Sequence, residues 1–258
     1  MYKVITSGVR LADNGYEFDT TINFDSDLIE LSDPQLYYSH IGNRIYRFGY
    51  QFNPDSSSSD RSKFIRYIKG LEEIQPSEKE INAFIEKPLA QLDFVANISS
   101  FDGLAYPLSG RSRLVTQIVK VVNTFMQRDI NKFSFEFIKS APIDIEFDWE
   151  SFEADYGDDL VRFNSMKLHV INNILPAIKN LDYFSLAQNV KTKYRPYIKN
   201  FLSLSQKDIE KYSKLYNDKI LVVDDINTSG STLKEILRIL QRINNTCEIY
   251  VFTLIEPS

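Results

Sequence analysis

A chain of 258 residues, 43% hydrophobic and 25% charged, is long enough for one large domain or a core domain plus a smaller one. Its net charge is −5 with no Lys/Arg block, and no apolar run approaches membrane length, so neither nucleic acid nor a membrane is an expected partner. Cys247 is the one cysteine and cannot form an internal disulfide, and a zinc site would need carboxylates to supplement His40 and His169. The start, MYKVITSGVR, lacks the apolar core of a signal peptide, which makes a cytoplasmic setting the expectation.

In chain order, the first fifty or so residues read as antiparallel strands. Tyr16, Phe18, Ile22 and Phe24 share one face at period two, as do Tyr46, Phe48, Tyr50 and Phe52. Asp13-Asn14-Gly15 suits a turn, and the polar run Asp55-Ser56-Ser57-Ser58-Ser59-Asp60 predicts a loop. Phe64, Ile68 and Leu71 then fall in helical phase. Ser77 and Glu80 form a capping-box pattern ahead of a second helix, with Ile81, Phe84, Ile85 and Leu89 on its apolar face.

From about residue 93 strands and helices alternate, the mark of an α/β fold with a mainly parallel twisted sheet flanked by helices. The reading thus divides the chain into an N-terminal β-rich and helical extension, 1–92, and an α/β domain, 93–258. Phe94 to Ile98 and Gly103 to Leu108 are predicted strands, followed by a helical stripe of Leu114, Val115, Ile118, Val119 and Val122. Phe133 to Ile138 predicts another strand. Ile143, Ile145, Phe147 and Trp149 alternate with acidic residues as in a one-sided edge strand, and every charge from Asp144 through Asp159 is negative. A helix is expected from Phe163 toward Pro176, a strand from Tyr183 to Ala187, and a further helix start at Ser205 and Asp208. The last unit is a strand at 220–224, a loop, a helix phased by Leu233, Ile236, Leu237 and Leu240, and a strand from Ile249 to Leu254.

The run ILVVDDINTSGST at 220–232 carries the chemistry. An apolar strand delivers Asp224 and Asp225, and the hydroxyl-rich turn Thr228-Ser229-Gly230-Ser231-Thr232 opens into a helix. Free N–H groups and the positive dipole end at a helix start attract a phosphate. The hydroxyls add donors, and Gly230 lets the backbone approach closely. Two nearby carboxylates can hold sugar hydroxyls or a hydrated magnesium ion. No Lys or Arg lies between Ile220 and Leu233, so backbone and hydroxyl groups must do most of the anion binding.

This run resembles the signature of the type I phosphoribosyltransferase family: an apolar strand, two acidic residues, two variable positions, then Thr-Thr-Gly-x-Thr. The chain reads Asp224-Asp225-Ile226-Asn227-Thr228-Ser229-Gly230-Ser231-Thr232, departing at Ser229, which keeps a hydroxyl. The resemblance implies that Asp224 and Asp225 grip the ribose hydroxyls of phosphoribosyl pyrophosphate and that Thr228 to Thr232 hold its 5′-phosphate, with Asn227 among the substrate-binding residues. Ser109-Gly110-Arg111 resembles the family's short pyrophosphate loop, and a plain turn with surface arginines is the alternative. The resemblance also implies a mobile basic lid, for which the segment 188–199 with Lys191, Lys193 and Arg195 is the candidate, against a solvated connecting loop. The acidic segment 144–159 is the rival for that position, expected instead to be a surface strand and loop. The aromatic face at 46–52 could stack a base, but a layer packed against the helices of 61–92 is the simpler expectation.

The resemblance implies a magnesium-dependent phosphoribosyltransferase acting on a nucleobase or related nitrogen acceptor, with Mg2+ as cofactor and a homodimer as one expected state. It equally allows a non-catalytic sensor of phosphoribosyl pyrophosphate or a nucleotide. The acceptor is expected to be chosen by the N-terminal ninety residues in place of a hood. Because turn carboxylates outside a core contribute little stability, Asp224→Asn with Asp225→Asn is expected to abolish ribose-phosphate binding and leave the fold intact.

Overall fold

The computed structural model describes residues 7–12, 15–19, 28–32, 37–39, 45–52, 58–71, 73, 75–108, 113–126, 133–226 and 230–256. The chain runs β1 (Ser7–Ala12), β2 (Gly15–Asp19), β3 (Leu28–Ser32), β4 (Tyr37–Ser39), β5 (Ile45–Phe52), α1 (Ser58–Ile68), α2 (Glu78–Ala96), β6 (Gly103–Pro107), α3 (Leu114–Phe125) and β7 (Phe133–Lys139). It continues through β8 (Glu146–Phe147), α4 (Trp149–Tyr156), α5 (Leu160–His169), α6 (Leu175–Lys179), α7 (Leu186–Asn189), β9 (Ile198–Lys199), β10 (Leu202–Ser203) and α8 (Gln206–Tyr212). It ends with β11 (Lys219–Ile226), α9 (Ser231–Ile243) and β12 (Glu248–Glu256). Contacts group the residues into two compact units: Met1–Glu136, Lys214–Thr228 and Asn245–Ser258 in the first, Phe137–Ser213 and Ser229–Asn244 in the second. Residues on both sides of the change of texture at 92/93 therefore share one unit. Among the described residues no helix is long and apolar enough to cross a membrane.

The first unit is built on a sheet with strand order β7-β6-β11-β12-β5-β3-β1-β2, with β4 also pairing β5. β6, β11 and β12 run parallel, as the alternation of strands and helices predicts, and β5, expected among antiparallel strands, joins them in parallel. The N-terminal strands extend this sheet rather than standing apart from it. β5 pairs in parallel with β12, and β3, β4, β1 and β2 add on antiparallel. The apolar faces predicted for Tyr16 to Phe24 and Tyr46 to Phe52 lie outside the described side chains. Leu221 and Val223 of β11 and Tyr250, Phe252 and Leu254 of β12 alternate onto one face. There they join Phe64, Ile81, Ile85, Leu89, Leu114, Ile118 and Val122 from α1, α2 and α3 in a single buried core.

Local chemistry fixes the ends of these elements. Ser77 Oγ accepts the Glu80 N–H at 3.3 Å and Glu80 Oε2 accepts the Ser77 N–H at 2.7 Å, so the capping box starts α2 where the sequence places it. Asp102 clips three strands: its carboxylate accepts the Lys219 N–H at 2.8 Å, and its carbonyl accepts the Phe133 N–H at 3.0 Å. Gly103 sits where a side chain has no room, since a Cβ there would lie 2.8 Å from Ile220 Cδ1 and 3.2 Å from Phe135 Cε2. Two expectations fail in this unit. Phe94 to Ile98 is not a strand. The capped α2 continues through Ala96 until Asn97 adopts φ 51°, and the Asp93 carboxylate takes the Ile98 N–H at 2.8 Å. The loop expected at 55–60 does not reach Ser58, where α1 begins, while 55–57 lie outside the described residues, and Leu71 falls beyond the helix and is exposed.

The second unit has its own aromatic centre. Phe152 packs against Phe147, Trp149, Tyr156, Phe163, Tyr194 and Tyr197 with ring centroids 5.0–6.4 Å apart. The expected edge strand at 143–150 reduces to Glu146 and Phe147, because Pro142 opens a 3-10 turn and Asp148 N-caps α4 through the Ser151 N–H. Tyr183 to Ala187 is not a strand either. Ser185 and Asn189 exchange hydrogen bonds that wind the chain into α7. The helix expected to end at Pro176 instead passes through a widened turn at Val170–Ile174 into α6, with Pro176 in its first turn. Ser205 caps α8 as read. Glu235, buried on α9, accepts both Arg238 and the N–H of Asn200, and Arg238 also donates to Asn200 Oδ1 at 2.7 Å. That network holds Asn200 at φ 60° between β9 and β10.

Candidate functional site

β11 ends in two adjacent carboxylates. Asp225 is in phase with Leu221 and Val223, which face α1, α2 and α3. The end of α1 meets it there: Lys69 Nζ lies 2.8 Å from Asp225 Oδ2. Each carboxylate also folds back on the next peptide. Asp224 Oδ1 accepts the Asp225 N–H at 2.8 Å, and Asp225 Oδ1 accepts the Ile226 N–H at 2.7 Å. Both residues are buried, 6% and 7% exposed, so they are not the solvated turn carboxylates the sequence suggests. A carboxylate withdrawn from water needs a counter-charge or several donors, and Lys69 supplies the charge to Asp225.

Sequence reasoning missed Lys69, which lies in no motif and far from the signature run. Its position is set by how α1 stops. The Lys69 N–H still bonds Ile65 O at 3.1 Å, and Gly70 then takes φ 66° while the Leu71 N–H returns to Arg66 O at 2.9 Å. A Lys-Gly pair at a helix end is the only local signal, and it speaks of capping rather than of a partner.

The parallel register of β6 against β11, with Val222 beside Ala105, brings Leu108 out of β6 at the same end of the sheet where Asp224 and Asp225 stand. That is the end where open α/β sheets bind ligands. Ser109, Gly110 and Arg111, which follow Leu108, lie outside the described residues, as do Asn227, Thr228 and Ser229. In the second unit Gly230 takes φ 69° and precedes α9 as its N-cap, without a side chain to occupy the first N–H groups. Ser231 is buried and Thr232 partly so.

The basic segment 188–199 is wound rather than looped. Thr192–Tyr197 is a 3-10 helix with Tyr194 and Tyr197 buried. Arg195 donates to the carbonyls of Val190 and Ala187, both at 2.8 Å, while Lys191 and Lys193 are exposed, with Lys193 Nζ 4.8 Å from the centre of the Tyr194 ring. Its far end is tied to the acidic segment. Glu146 and Phe147 pair antiparallel with Lys199 and Ile198, Lys199 bridges Asp148, and the Tyr197 hydroxyl donates to Asp155 at 2.6 Å. The two stretches that compete for the lid position are therefore bound to each other. Burial and the bond to Asp155 push the Tyr197 phenol well above its usual range. Burial alone pushes the Asp148 carboxyl up, but the hydrogen bonds from Lys199 and Ser151 outweigh it and hold it below its ordinary value.

No group of three or more His, Cys, Asp or Glu that could hold a metal ion is found among the described residues. Asp224 and Asp225 are oxygen donors of the kind magnesium takes, but two carboxylates leave most of its six positions to other ligands.

No family model matches the chain, and no curated protein matches it. Among solved structures it is similar to a hypoxanthine phosphoribosyltransferase from Staphylococcus aureus, seen in a tetragonal and an orthorhombic crystal form. The TM-scores are 0.35 and 0.34, the identities 12% and 13%, and in each case 70% of this chain is covered. The chain spans 65% of the length of that enzyme.

Proposed function

We propose that the chain is a phosphoribosyltransferase that takes phosphoribosyl pyrophosphate, as its magnesium complex, and passes the phosphoribosyl group to a nitrogen acceptor. The observation that carries this reading is the order of parts in one short run. Twin carboxylates stand at the carboxyl end of a parallel strand, and a left-handed Gly230 opens a helix five residues later. In this reading Asp224 and Asp225 accept hydrogen bonds from the ribose hydroxyls. Thr228, Ser229, Ser231 and Thr232 hold the 5′-phosphate with the first N–H groups of α9. Ser109, Gly110 and Arg111 receive the diphosphate, whose own oxygens and water supply most of the magnesium ligands. Breaking the bond from C1 to diphosphate leaves positive charge on the sugar ring, and the buried carboxylates below it stabilise that charge. Purified protein given magnesium, phosphoribosyl pyrophosphate and a panel of nitrogen heterocycles should release pyrophosphate with at least one of them. No release with any acceptor, despite saturable binding of phosphoribosyl pyrophosphate, would leave a sensor instead.

One observation favours that second reading. The segment carrying Lys191, Lys193 and Arg195 holds its place through two buried tyrosines, two backbone bonds from Arg195 and the pairing of β9 with β8. A lid must break such contacts to open and close, whereas a binding protein has no need to.

A further inference from the structure

α5 is apolar on two sides. Phe163, which packs on Phe152, is buried, and so are Met166 and Val170 at the spacing of one helix face. The opposite face carries Val161, Asn164, Ser165 and Leu168, at the i, i+3, i+4, i+7 spacing of a single stripe, and all four are exposed. Val161 is 83% exposed and Leu168 59%, and Leu160 and Ile171, beside the two ends of the stripe, are exposed as well. Among the described residues no other stretch so short gathers four exposed large apolar side chains. A surface helix keeps its outer face polar unless that face meets something.

Charge and symmetry say what it meets. Asp158 and Asp159 stand at the entry of α5, and Lys167 and His169 in its last turn. Arg162, the one cation between them, lies over the Tyr156 ring at 5.4 Å, off the stripe. A second α5 laid antiparallel sets the acidic entry of each copy beside the basic last turn of the other, and it opposes the two helix dipoles. The stripe also reads alike in both directions, with Val161 and Leu168 on either side of the short polar pair Asn164 and Ser165. A two-fold axis through its middle puts Val161 of one copy against Leu168 of the other. Asn164 then meets Ser165 across the axis, where short side chains let the helices approach and can bond each other.

We propose that this face of α5 is a self-association surface, on which a second copy of the chain docks antiparallel about a two-fold axis. α5 has 10 residues and is about 15 Å long, so the contact is small for a dimer. The association is therefore reversible, micromolar rather than nanomolar. It holds whether or not the chain transfers a phosphoribosyl group.

Sedimentation equilibrium of the full chain, loaded from low to high micromolar concentration, reads it directly. The apparent mass should climb from 30.0 kDa toward twice that value. Val161→Glu with Leu168→Glu should hold the monomer mass throughout with an unchanged circular dichroism spectrum, since both side chains are exposed in the monomer. Val161→Ala with Leu168→Ala, which adds no charge, should weaken association at least roughly tenfold. Oxidative cross-linking fixes the orientation, and the native Cys247 is buried. Chains carrying Val161→Cys, mixed with chains carrying Leu168→Cys, should form a disulfide with each other in preference to their own kind. A wild-type monomer at every concentration, a dimer that survives the glutamate variant, or preferred cross-linking of like chains would overturn the proposal.

Discussion

Lys69 and Asp225 join two parts of the sequence that share no pattern, and the proposed chemistry rests on the carboxylate that this pair orients. A buried carboxylate held by one ammonium and one peptide N–H is oriented before any ligand arrives. Lys69→Met strips the counter-charge while keeping an unbranched side chain of similar length. It should lower stability by about 1–3 kcal/mol, the usual penalty for leaving a buried polar group unmatched. Urea titration of both proteins checks this, and an unchanged midpoint would mean that the pair contributes nothing. The same geometry revises an expectation drawn from the sequence: Asp224→Asn with Asp225→Asn now carries a stability cost as well as a loss of binding. The strand and the helix on either side of the acidic pair were legible because an apolar run and a helical phase follow one another along the chain. Lys69 was not, because no local pattern reports which helix end reaches which strand.

At the scale of elements, capping was readable and tertiary pairing was not. Ser77 with Glu80 and Ser205 with Asp208 each announce a helix start through a hydrogen bond that closes within three residues. The acidic stretch from Asp144 alternates as an edge strand does, yet it winds into α4, since Asp148 serves as N-cap and also takes Lys199 from a distant segment. Asp148 gives this pairing a pH signature. Its folded pKa lies below the ordinary 3.8, so its contribution is complete above 3.8 and is lost as pH falls through the lowered value. Glu80, held below 4.5 mainly by the Ser77 hydroxyl, works in the same direction for α2. Stability should therefore fall on acidification, and Asp148→Asn should flatten part of that fall while lowering stability at neutral pH. Denaturant midpoints measured across the acid range decide the matter. A variant with the wild-type pH profile would show that the Lys199 contact is not what Asp148 contributes.

For the whole molecule, the parallel strands were readable from the alternation of strand and helix, but the joining of β5 to β12 was not. That pairing makes the N-terminal strands part of the same sheet as Asp224 and Asp225, and α1 and α2 share its core. The ninety residues that carry no recognisable motif thus supply Lys69, the counter-charge of Asp225. A ligand that binds only the folded chain adds about 2.7 kcal/mol at a concentration one hundred times its Kd. The central claim, that the carboxylate pair and the turn after it take a phosphorylated ribose, is tested most directly by titrating phosphoribosyl pyrophosphate with magnesium into wild type and into Asp224→Asn with Asp225→Asn. The account predicts saturable one-to-one binding to wild type and its loss in a variant whose circular dichroism is unchanged. Equal affinity in the two proteins, or no heat with wild type, would contradict it.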